Sequence, residues 1–174
     1  MIARSLISAL AASALVMVSA CQPDAPTAGP APSEPLPDFD ALFAERYMQP
    51  FNAKDIPAWL DAFAEDAVGM HNGLPPMVGR DAIRGFGEAV RDGFELAEID
   101  ARVDEVQHSG DWVYTRGSYT STFVPKAGNQ GAPSGQQQGK FLLLWERQAD
   151  GDWKIILDMG NSNGPPVAPD QDGP

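Results

Sequence analysis

The sequence is poor in the residues that hold metal ions and form disulfides. Its 174 residues include one cysteine and two histidines. A single cysteine excludes an internal disulfide and a zinc site made of four cysteines. The two histidines add little material for a mixed zinc site. We therefore expect no metal ion and no other cofactor.

Positive charge is also scarce. Twelve lysines and arginines stand against 24 aspartates and glutamates, which gives a formal net charge of −12. A chain this acidic is repelled by phosphate backbones, so nucleic acid is not an expected partner. Hydrophobic residues make up 43% of the chain, which is enough for an ordinary globular core. The length favours one folded domain.

The longest apolar run lies at the N-terminus. Arg4 is the only charge in the first twenty residues, and the apolar run covers residues 6–18. The small residues Ser19 and Ala20 follow, so the segment is typical of a secretory signal peptide. The run is short for a transmembrane helix, which needs about 20 apolar residues.

The end of this segment, from Val18 to Cys21, resembles the lipobox of bacterial lipoproteins. The resemblance implies a lipoprotein signal peptide over residues 1–20, cleavage before Cys21 and lipidation of Cys21, which would anchor the chain to a membrane. In lipoproteins an Asp after the cysteine often directs retention in the inner membrane. Gln22 stands there instead, so we expect export across the inner membrane and anchoring at the periplasmic face of the outer membrane. A plain signal peptide with an incidental cysteine, or a short transmembrane anchor, is the alternative.

Proline-rich segments flank the part of the chain that is expected to fold. Residues 22–37 contain six prolines, which favour an extended chain and cannot bury a core. We expect residues 21–37 to form a lipidated tether, residues 38–163 to form the domain, and residues 164–174 to be a disordered tail.

Hydrophobic spacing predicts three helices at the start of the domain. Asp38 is a good N-cap residue, and the apolar residues after it recur at helical spacing. Pro50 should end or kink this helix near Gln49. Asp55 is expected to cap a second, short helix, and a third helix is expected to begin near Arg80.

After residue 94 the pattern changes to the alternation that is typical of strands. Apolar residues alternate from Ile99 to Val103, and Val106 then breaks the phase, which indicates a bulge.

The loop 125–139 is polar and rich in glycine, and is either an ordinary hairpin tip or a mobile lip over a pocket. Helices followed by antiparallel strands favour an α+β fold with a curved sheet wrapped around the helices. Other strands are predicted at residues 66–71, 112–124, 140–148 and 153–159.

Four side chains are candidates for a site or a core. His71 follows a predicted strand and precedes a turn, where it is either a general base in a cleft or a solvated turn residue. Tyr47 lies on the apolar face of the first helix, so its hydroxyl needs a partner in the core or on a ligand. Trp59 on the second helix faces inward, and Trp145 on an apolar strand is either core or pocket wall.

The order of these elements resembles the NTF2-like superfamily. Residues 55–90 include an FAEDAV run and a GRDAI helix start that look like this superfamily. Residues 139–162 resemble its SnoaL-like and DUF4440 branch, because a W-x-R-x-x-D-G-x-W-K-I hairpin ends on D-x-x-N. The resemblance covers residues 38–163 and implies a cone, in which a strongly curved antiparallel sheet closes over the helices around an apolar pocket. It also implies a homodimer through the sheet.

Ketosteroid isomerase, in the same superfamily, has a tyrosine on its first helix 24 residues before a carboxylate base. By this resemblance Tyr47 matches the tyrosine that donates to the oxyanion, and His71 stands at the position of the base. The second oxyanion donor of that family, a protonated Asp, falls near Leu143 and is missing. Losing one of two donors should cost about a few kcal/mol of transition-state stabilisation, so the isomerase chemistry is not carried over unchanged.

The D-x-x-N ending adds two candidates. By the same resemblance Asp158 and Asn161 are expected at the polar rim of the pocket, together with Trp59 and Trp145 as pocket residues. A structural cap at the end of the strand is the alternative for Asp158.

Three functions are consistent with these residues. The first is a lipid-anchored domain that binds a small apolar or carbonyl-bearing molecule. The second is an isomerase, cyclase or lyase that removes a proton next to a carbonyl. His71 would be its base, Tyr47 would polarise the carbonyl, and Asp158 or Asn161 would orient His71 or the substrate. The third is a dimerising protein-interaction domain. Because the fold hosts many functions, the site must decide between them.

Overall fold

A computed structural model describes residues 35–129, 131–132 and 134–164. The expected signal peptide, Cys21, most of the tether and all but the first residue of the tail lie outside these residues. Within the described ranges, no helix is both long enough and apolar enough to cross a membrane.

The first helical segment passes through a proline. Asp38 caps it by accepting hydrogen bonds from two backbone N–H groups. Helix α1 (Phe39–Phe43) continues as a π-helical turn (Ala44–Met48) and then as α2 (Gln49–Asn52). Pro50 therefore does not end the helix near Gln49. Pro50 stands in the first turn of α2, directly after the π-helical turn, and a proline is tolerated in the first turn of a helix.

The two later helices begin where they were predicted to begin, α3 after its predicted cap Asp55 and α4 at Arg80. In α3 (Ile56–Leu60) the Asp55 carboxylate accepts a hydrogen bond from the Ala58 N–H at 3.1 Å. Helix α4 (Arg80–Gly93) follows Gly79, whose φ of +85° is readily adopted only by glycine.

Six strands form one curved, unclosed sheet in the order β2-β1-β6-β5-β4-β3. Neighbouring strands are antiparallel, except that β1 and β6 pair in parallel. Helices on one side of a mostly antiparallel sheet confirm the predicted α+β class. The strands are β1 (Phe63–His71), β2 (Met77–Val78), β3 (Phe94–Ser109), β4 (Trp112–Pro125), β5 (Gly135–Arg147) and β6 (Trp153–Ser162).

Two details of the strands differ from, or refine, the sequence prediction. The bulge predicted near Val106 is confirmed as a register shift between Val103 and Glu105. The predicted loop 125–139 is shorter, because β4 runs to Pro125 and β5 begins at Gly135. Part of that loop is tied to the end of α4, where the Asn129 side-chain amide donates to the Gly93 carbonyl at 3.0 Å.

The inner face of the sheet packs against the helices and forms the core. Its centre is aromatic: Trp59 contacts Phe63, Phe51 and Tyr47 edge-on. The buried residues of the inner face include Ala97, Val113, Leu143, Trp145 and Ile155.

The outer face of the sheet carries an apolar patch. Register pairs join its members directly across β1, β6 and β5, and they alternate with residues that point into the core. We call these six residues the outer apolar patch: Val68, Met70, Leu142, Leu144, Leu157 and Met159.

Candidate functional site

Three polar side chains from distant parts of the chain meet at one end of the core. The Tyr47 hydroxyl donates to Asp158 Oδ2 at 2.8 Å. His71 Nε2 lies 3.1 Å from the same oxygen. One carboxylate oxygen therefore joins the π-helical turn, the last residue of β1 and β6.

The strand register brings His71 to this carboxylate. In the parallel pairing of β1 and β6, Gly69 lies beside Asp158 and His71 lies beside Gly160. The side chains of His71 and Asp158 therefore share the inner face. The imidazole lies over Gly160, where a Cβ would be in ordinary van der Waals contact with His71 Cδ2 at 3.7 Å.

Asp158 is buried and only 4% exposed. A buried carboxylate is unfavourable unless hydrogen-bond donors satisfy it, and Tyr47 and His71 are such donors. His71 is the more accessible member of the group, with 18% of its side chain exposed. It is therefore the group that can meet a molecule arriving from solvent.

The same carboxylate changes the acidity of both partners. Burial by itself lowers the pKa of His71, but the negative charge and the hydrogen bond of Asp158 outweigh it, so the pKa lies above its ordinary 6.5. Burial, followed by the charge and the hydrogen bond of Asp158, raises the pKa of Tyr47 well above 10. Tyr47 therefore stays protonated and donates.

His71 is held with one nitrogen fixed and the other available. Its Nε2 faces Asp158, so this nitrogen carries the shared proton and Nδ1 is left to exchange a proton. The edge of Phe86 packs against the ring, with centroids 5.0 Å apart. An imidazole oriented by a carboxylate is a common general acid–base arrangement.

Tyr47 differs from the role that the ketosteroid isomerase resemblance implies. Its hydroxyl donates to Asp158, so that proton is already used. Leu143 is 1% exposed and lies directly opposite Asp158 in the β5–β6 pairing. Asp158 on the neighbouring strand accepts hydrogen bonds, so it does not supply the donor that is missing at Leu143.

The two tryptophans lie deeper than a pocket wall. Trp59 is fully buried behind Tyr47, and its indole N–H has no hydrogen-bond partner among the described residues. Trp145 is also fully buried, donates to the Thr115 hydroxyl at 3.2 Å and packs against Phe39. Trp59 thus backs the site, whereas Trp145 belongs to the core beside Phe39.

Asn161 does not lie beside the other candidate residues. It pairs with Lys140 in the β5–β6 register, and Lys140 is exposed. Residues three apart on a strand point to opposite faces, so Asn161 lies on the outer face while Asp158 lies on the inner one.

One inner-face residue near the cluster escaped the sequence reasoning. Tyr119 on β4 is half-buried and shares its face with Gly117 and Ser121. The alternation of β4 places it there, but only the register with β5 and β6 brings it towards the site. Burial, and then the charge of Asp158, raises the pKa of its hydroxyl.

Two surface clefts lie near the β5–β6 turn, at the other end of β6, and neither is lined by His71 or Tyr47. In the described part of the chain, no group of three or more histidine, cysteine or acidic side chains is arranged to hold a metal ion.

Comparison with known proteins gives four results. Residues 44–155 match the model of the SnoaL-like domain. A ketosteroid isomerase-like protein from Erwinia carotovora atroseptica SCRI1043 is 25% identical, with 72% of this chain and 95% of that chain covered and a TM-score of 0.59. A scytalone dehydratase-like protein from Novosphingobium aromaticivorans DSM 12444 is 15% identical, with 71% and 79% covered and a TM-score of 0.59. No curated protein matches the chain.

Proposed function

The chain belongs to the SnoaL-like domain family, within the NTF2-like superfamily, and on that premise we propose that it binds a small apolar, carbonyl-bearing molecule beside His71 and transfers a proton on it. The observation that carries this proposal is the pair formed by His71 and the buried Asp158, 3.1 Å apart. In this pair Nδ1 of His71 is available at a partly exposed position, with aromatic side chains around it.

The proposed step is proton removal next to the carbonyl. His71 Nδ1 takes a proton from the α-carbon, and the C–H electron pair forms the carbon–carbon double bond of an enolate. The negative charge moves to the carbonyl oxygen, and the imidazolium is stabilised by Asp158. The proton then returns to carbon. A histidine base whose pKa is raised above 6.5 by Asp158 suits this task near neutral pH.

The name of one structural neighbour is consistent with this choice of ligand. A ketosteroid is an apolar molecule with a carbonyl group, and the Erwinia protein is described as ketosteroid isomerase-like. Aromatic residues around the site suit such a ligand, because small-molecule sites are mostly apolar with a few polar groups.

Binding without turnover is the second candidate. It is favoured by the Tyr47 hydroxyl, which is committed to Asp158, and by Leu143, which offers no acid to stabilise an enolate. In this case His71 would only hydrogen-bond the ligand.

Deuterium exchange separates the two candidates. Apolar ketones, beginning with 4-(dimethylamino)acetophenone, are incubated with the full-length chain in D₂O, and loss of the α-proton signal is followed by NMR. Proton transfer predicts exchange that His71→Gln abolishes while ketone binding survives, since the loss falls on the transition state. The Asn161→Ala variant, altered on the outer face, is the matched control. Binding without exchange supports the second candidate, and absence of binding contradicts both.

We further propose a homodimer formed through the sheet. The outer apolar patch supports it, because six neighbouring apolar side chains on an open sheet face resemble an interaction surface. A protein-interaction role without a ligand remains the third hypothesis for the domain, and it depends on the same patch.

The membrane anchor is a separate proposal. It rests on the lipobox-like segment and Cys21, the only cysteine in the chain, and it would hold the domain at the periplasmic face of the outer membrane. Cys21→Ser should move the protein from the membrane fraction to the soluble fraction of its host. Persistence in membranes would contradict lipidation at this residue.

A further inference from the structure

A fourth polar group lies on the inner face near the site and has no role in the proton transfer described above. Tyr119 is half-buried on β4, between Gly117 and Ser121 of the same face. No hydrogen bond joins its hydroxyl to any other residue that the structure describes. The hydroxyl of Tyr47, in contrast, already donates to Asp158.

Two glycines, Gly139 and Gly160, lie on the inner face between Tyr119 and His71. Gly139 on β5 is the register partner of Tyr119, and the tyrosine ring lies over it so closely that a Cβ at Gly139 would overlap the ring and its hydroxyl. On β6, Gly160 lies beside His71. Gly139 and Gly160 are diagonal neighbours on the same face, since Gly139 pairs with Ser162, and such neighbours are about 7–8 Å apart.

The ring of Tyr119 covers Gly139, so the floor without a side chain lies over Gly160, between Tyr119 on one side and His71 on the other. The neighbouring aromatic ring does not fill it, because Phe141 leans toward Gly117, where a Cβ would lie 2.8 Å from the ring. The same ring stacks on Phe43 at 4.9 Å between centroids. A small flat molecule above Gly160 would contact His71 and reach the Tyr119 hydroxyl.

The ionisation state of Tyr119 suits a donor. Burial, and then the charge of Asp158, raises the pKa of its hydroxyl above the ordinary 10. The hydroxyl therefore keeps its proton throughout the physiological pH range.

Resting on the proposed function, we infer that Tyr119, rather than Tyr47, donates the hydrogen bond to the carbonyl oxygen of the ligand. Tyr47 is then a positioning residue that holds Asp158, and through it His71. The acid that is missing at Leu143 is replaced by a donor from β4, which lies on the far side of β5 from β6.

The test uses two probes that differ only in the carbonyl. The absorption of 4-(dimethylamino)acetophenone moves to longer wavelength when its carbonyl accepts a hydrogen bond, and 4-ethyl-N,N-dimethylaniline lacks the carbonyl. Both are titrated into the full-length chain and into Tyr119→Phe, Tyr47→Phe and Tyr114→Phe. Tyr114 is the matched control, because its hydroxyl donates to Glu105 at 2.9 Å on the outer face.

Tyr119→Phe keeps the ring over Gly139 and removes only the donor. We expect it to weaken binding of the ketone about tenfold, equivalent to about 1.4 kcal/mol, and to abolish the wavelength shift, while binding of the aniline is unchanged. Tyr47→Phe and Tyr114→Phe should retain the shift.

Two outcomes would overturn the assignment. If Tyr119→Phe binds the ketone with the affinity and the wavelength shift of the wild type, Tyr119 is not the donor. If the shift is lost in Tyr47→Phe alone, the donor is Tyr47. A wild-type chain that binds neither probe contradicts the proposed function itself, which distinguishes that failure from a failure of the Tyr119 assignment.

Discussion

At the scale of single residues, the buried carboxylate of Asp158 determines how the site ionises. It receives the Tyr47 hydroxyl and faces His71 Nε2. Without its charge, only burial would act on the imidazole, and burial disfavours the protonated form. The pKa of His71 is therefore above or below its ordinary 6.5 according to the charge at position 158.

Asp158→Asn should reverse the direction of the His71 pKa shift. We expect the pKa to fall from above 6.5 in the wild type to below 6.5 in the variant, because the charge is lost while the burial stays. NMR titration of the imidazole Cε1–H measures this directly, and a His108→Gln chain assigns the two histidine signals. A pKa that stays above 6.5 in Asp158→Asn would show that the carboxylate is not the cause.

The same shift predicts a pH dependence of stability. Because the folded-state pKa of His71 is raised above its unfolded value, the folded chain binds more protons. The stability that this provides is complete below about pH 6.5 and is lost as the pH rises through the folded-state pKa. Urea titrations should show the wild type gaining over His71→Gln at low pH, with the difference shrinking towards pH 8. A difference that grows with pH would contradict the raised pKa.

Several of these residue roles were within reach of the sequence. Tyr47 and His71 were found from their spacing of 24 residues. Asp158 was found from the D-x-x-N ending. Both are patterns that can be read along the sequence. The partner of the Tyr47 hydroxyl and the position of Tyr119 were not within reach, because they depend on how the first helical segment and the strands pack in three dimensions. Asn161 was misplaced because D-x-x-N puts its two polar residues three apart, on opposite faces of a strand.

At the scale of elements, α4 packs on α3 through a glycine. Gly87 is buried against Trp59, and a Cβ there would lie 2.9 Å from Cζ3 of the indole and 3.2 Å from Ile56 Cδ1. Gly85, in the same helix, is exposed with nothing within 4 Å of its Cβ position. Close packing against Trp59 therefore accounts for the glycine at position 87, whereas no neighbouring atom requires a glycine at position 85.

Alanine at these two positions should change stability in different ways. Gly85→Ala should raise the free energy of unfolding by about 1 kcal/mol, since alanine is the better helix former. Gly87→Ala gains the same propensity but overpacks Trp59, which costs about 1–3 kcal/mol, so its net effect should be neutral to destabilising. Urea denaturation of both variants measures the difference. Equal stabilisation by both would mean that α4 does not pack tightly on Trp59.

Helix starts were predicted at the capping residues Asp38 and Asp55, and near Arg80 for α4. Element boundaries were missed where the backbone adapts. The first helical segment continues through Pro50 after a π-helical turn that no spacing rule indicates. The β4–β5 hairpin is longer than its polar composition suggests, because cross-strand pairing extends β5 back to Gly135.

At the scale of the whole molecule, the outer apolar patch is a group of neighbouring, partly exposed apolar side chains on the open face of the sheet. Its residues lie on β1, β6 and β5, in the middle of the sheet rather than at an edge. The patch is not visible in the sequence as a unit, because its members are spread from residue 68 to residue 159 and become neighbours only through the sheet order.

A charge in this patch should dissociate the proposed dimer. Leu144→Glu places a carboxylate among apolar side chains, where its desolvation would oppose association. The matched control is Gln138→Glu, on the same face and strand but exposed and away from the patch. Size-exclusion chromatography with light scattering should give a dimer for the wild type and the control, and a monomer for Leu144→Glu. A wild-type monomer would contradict the dimer.

The most direct test of the central claim, a small molecule bound between His71 and Tyr119, is native mass spectrometry of the full-length chain purified from its own host. Gly160→Val serves as the comparison, because its side chain would fill the floor of the site beside His71. We expect a discrete noncovalent extra mass on the wild type, beyond the mass of any lipid attached to Cys21, and none on the variant. No noncovalent mass on the wild type, or the same noncovalent mass on both chains, would contradict the claim.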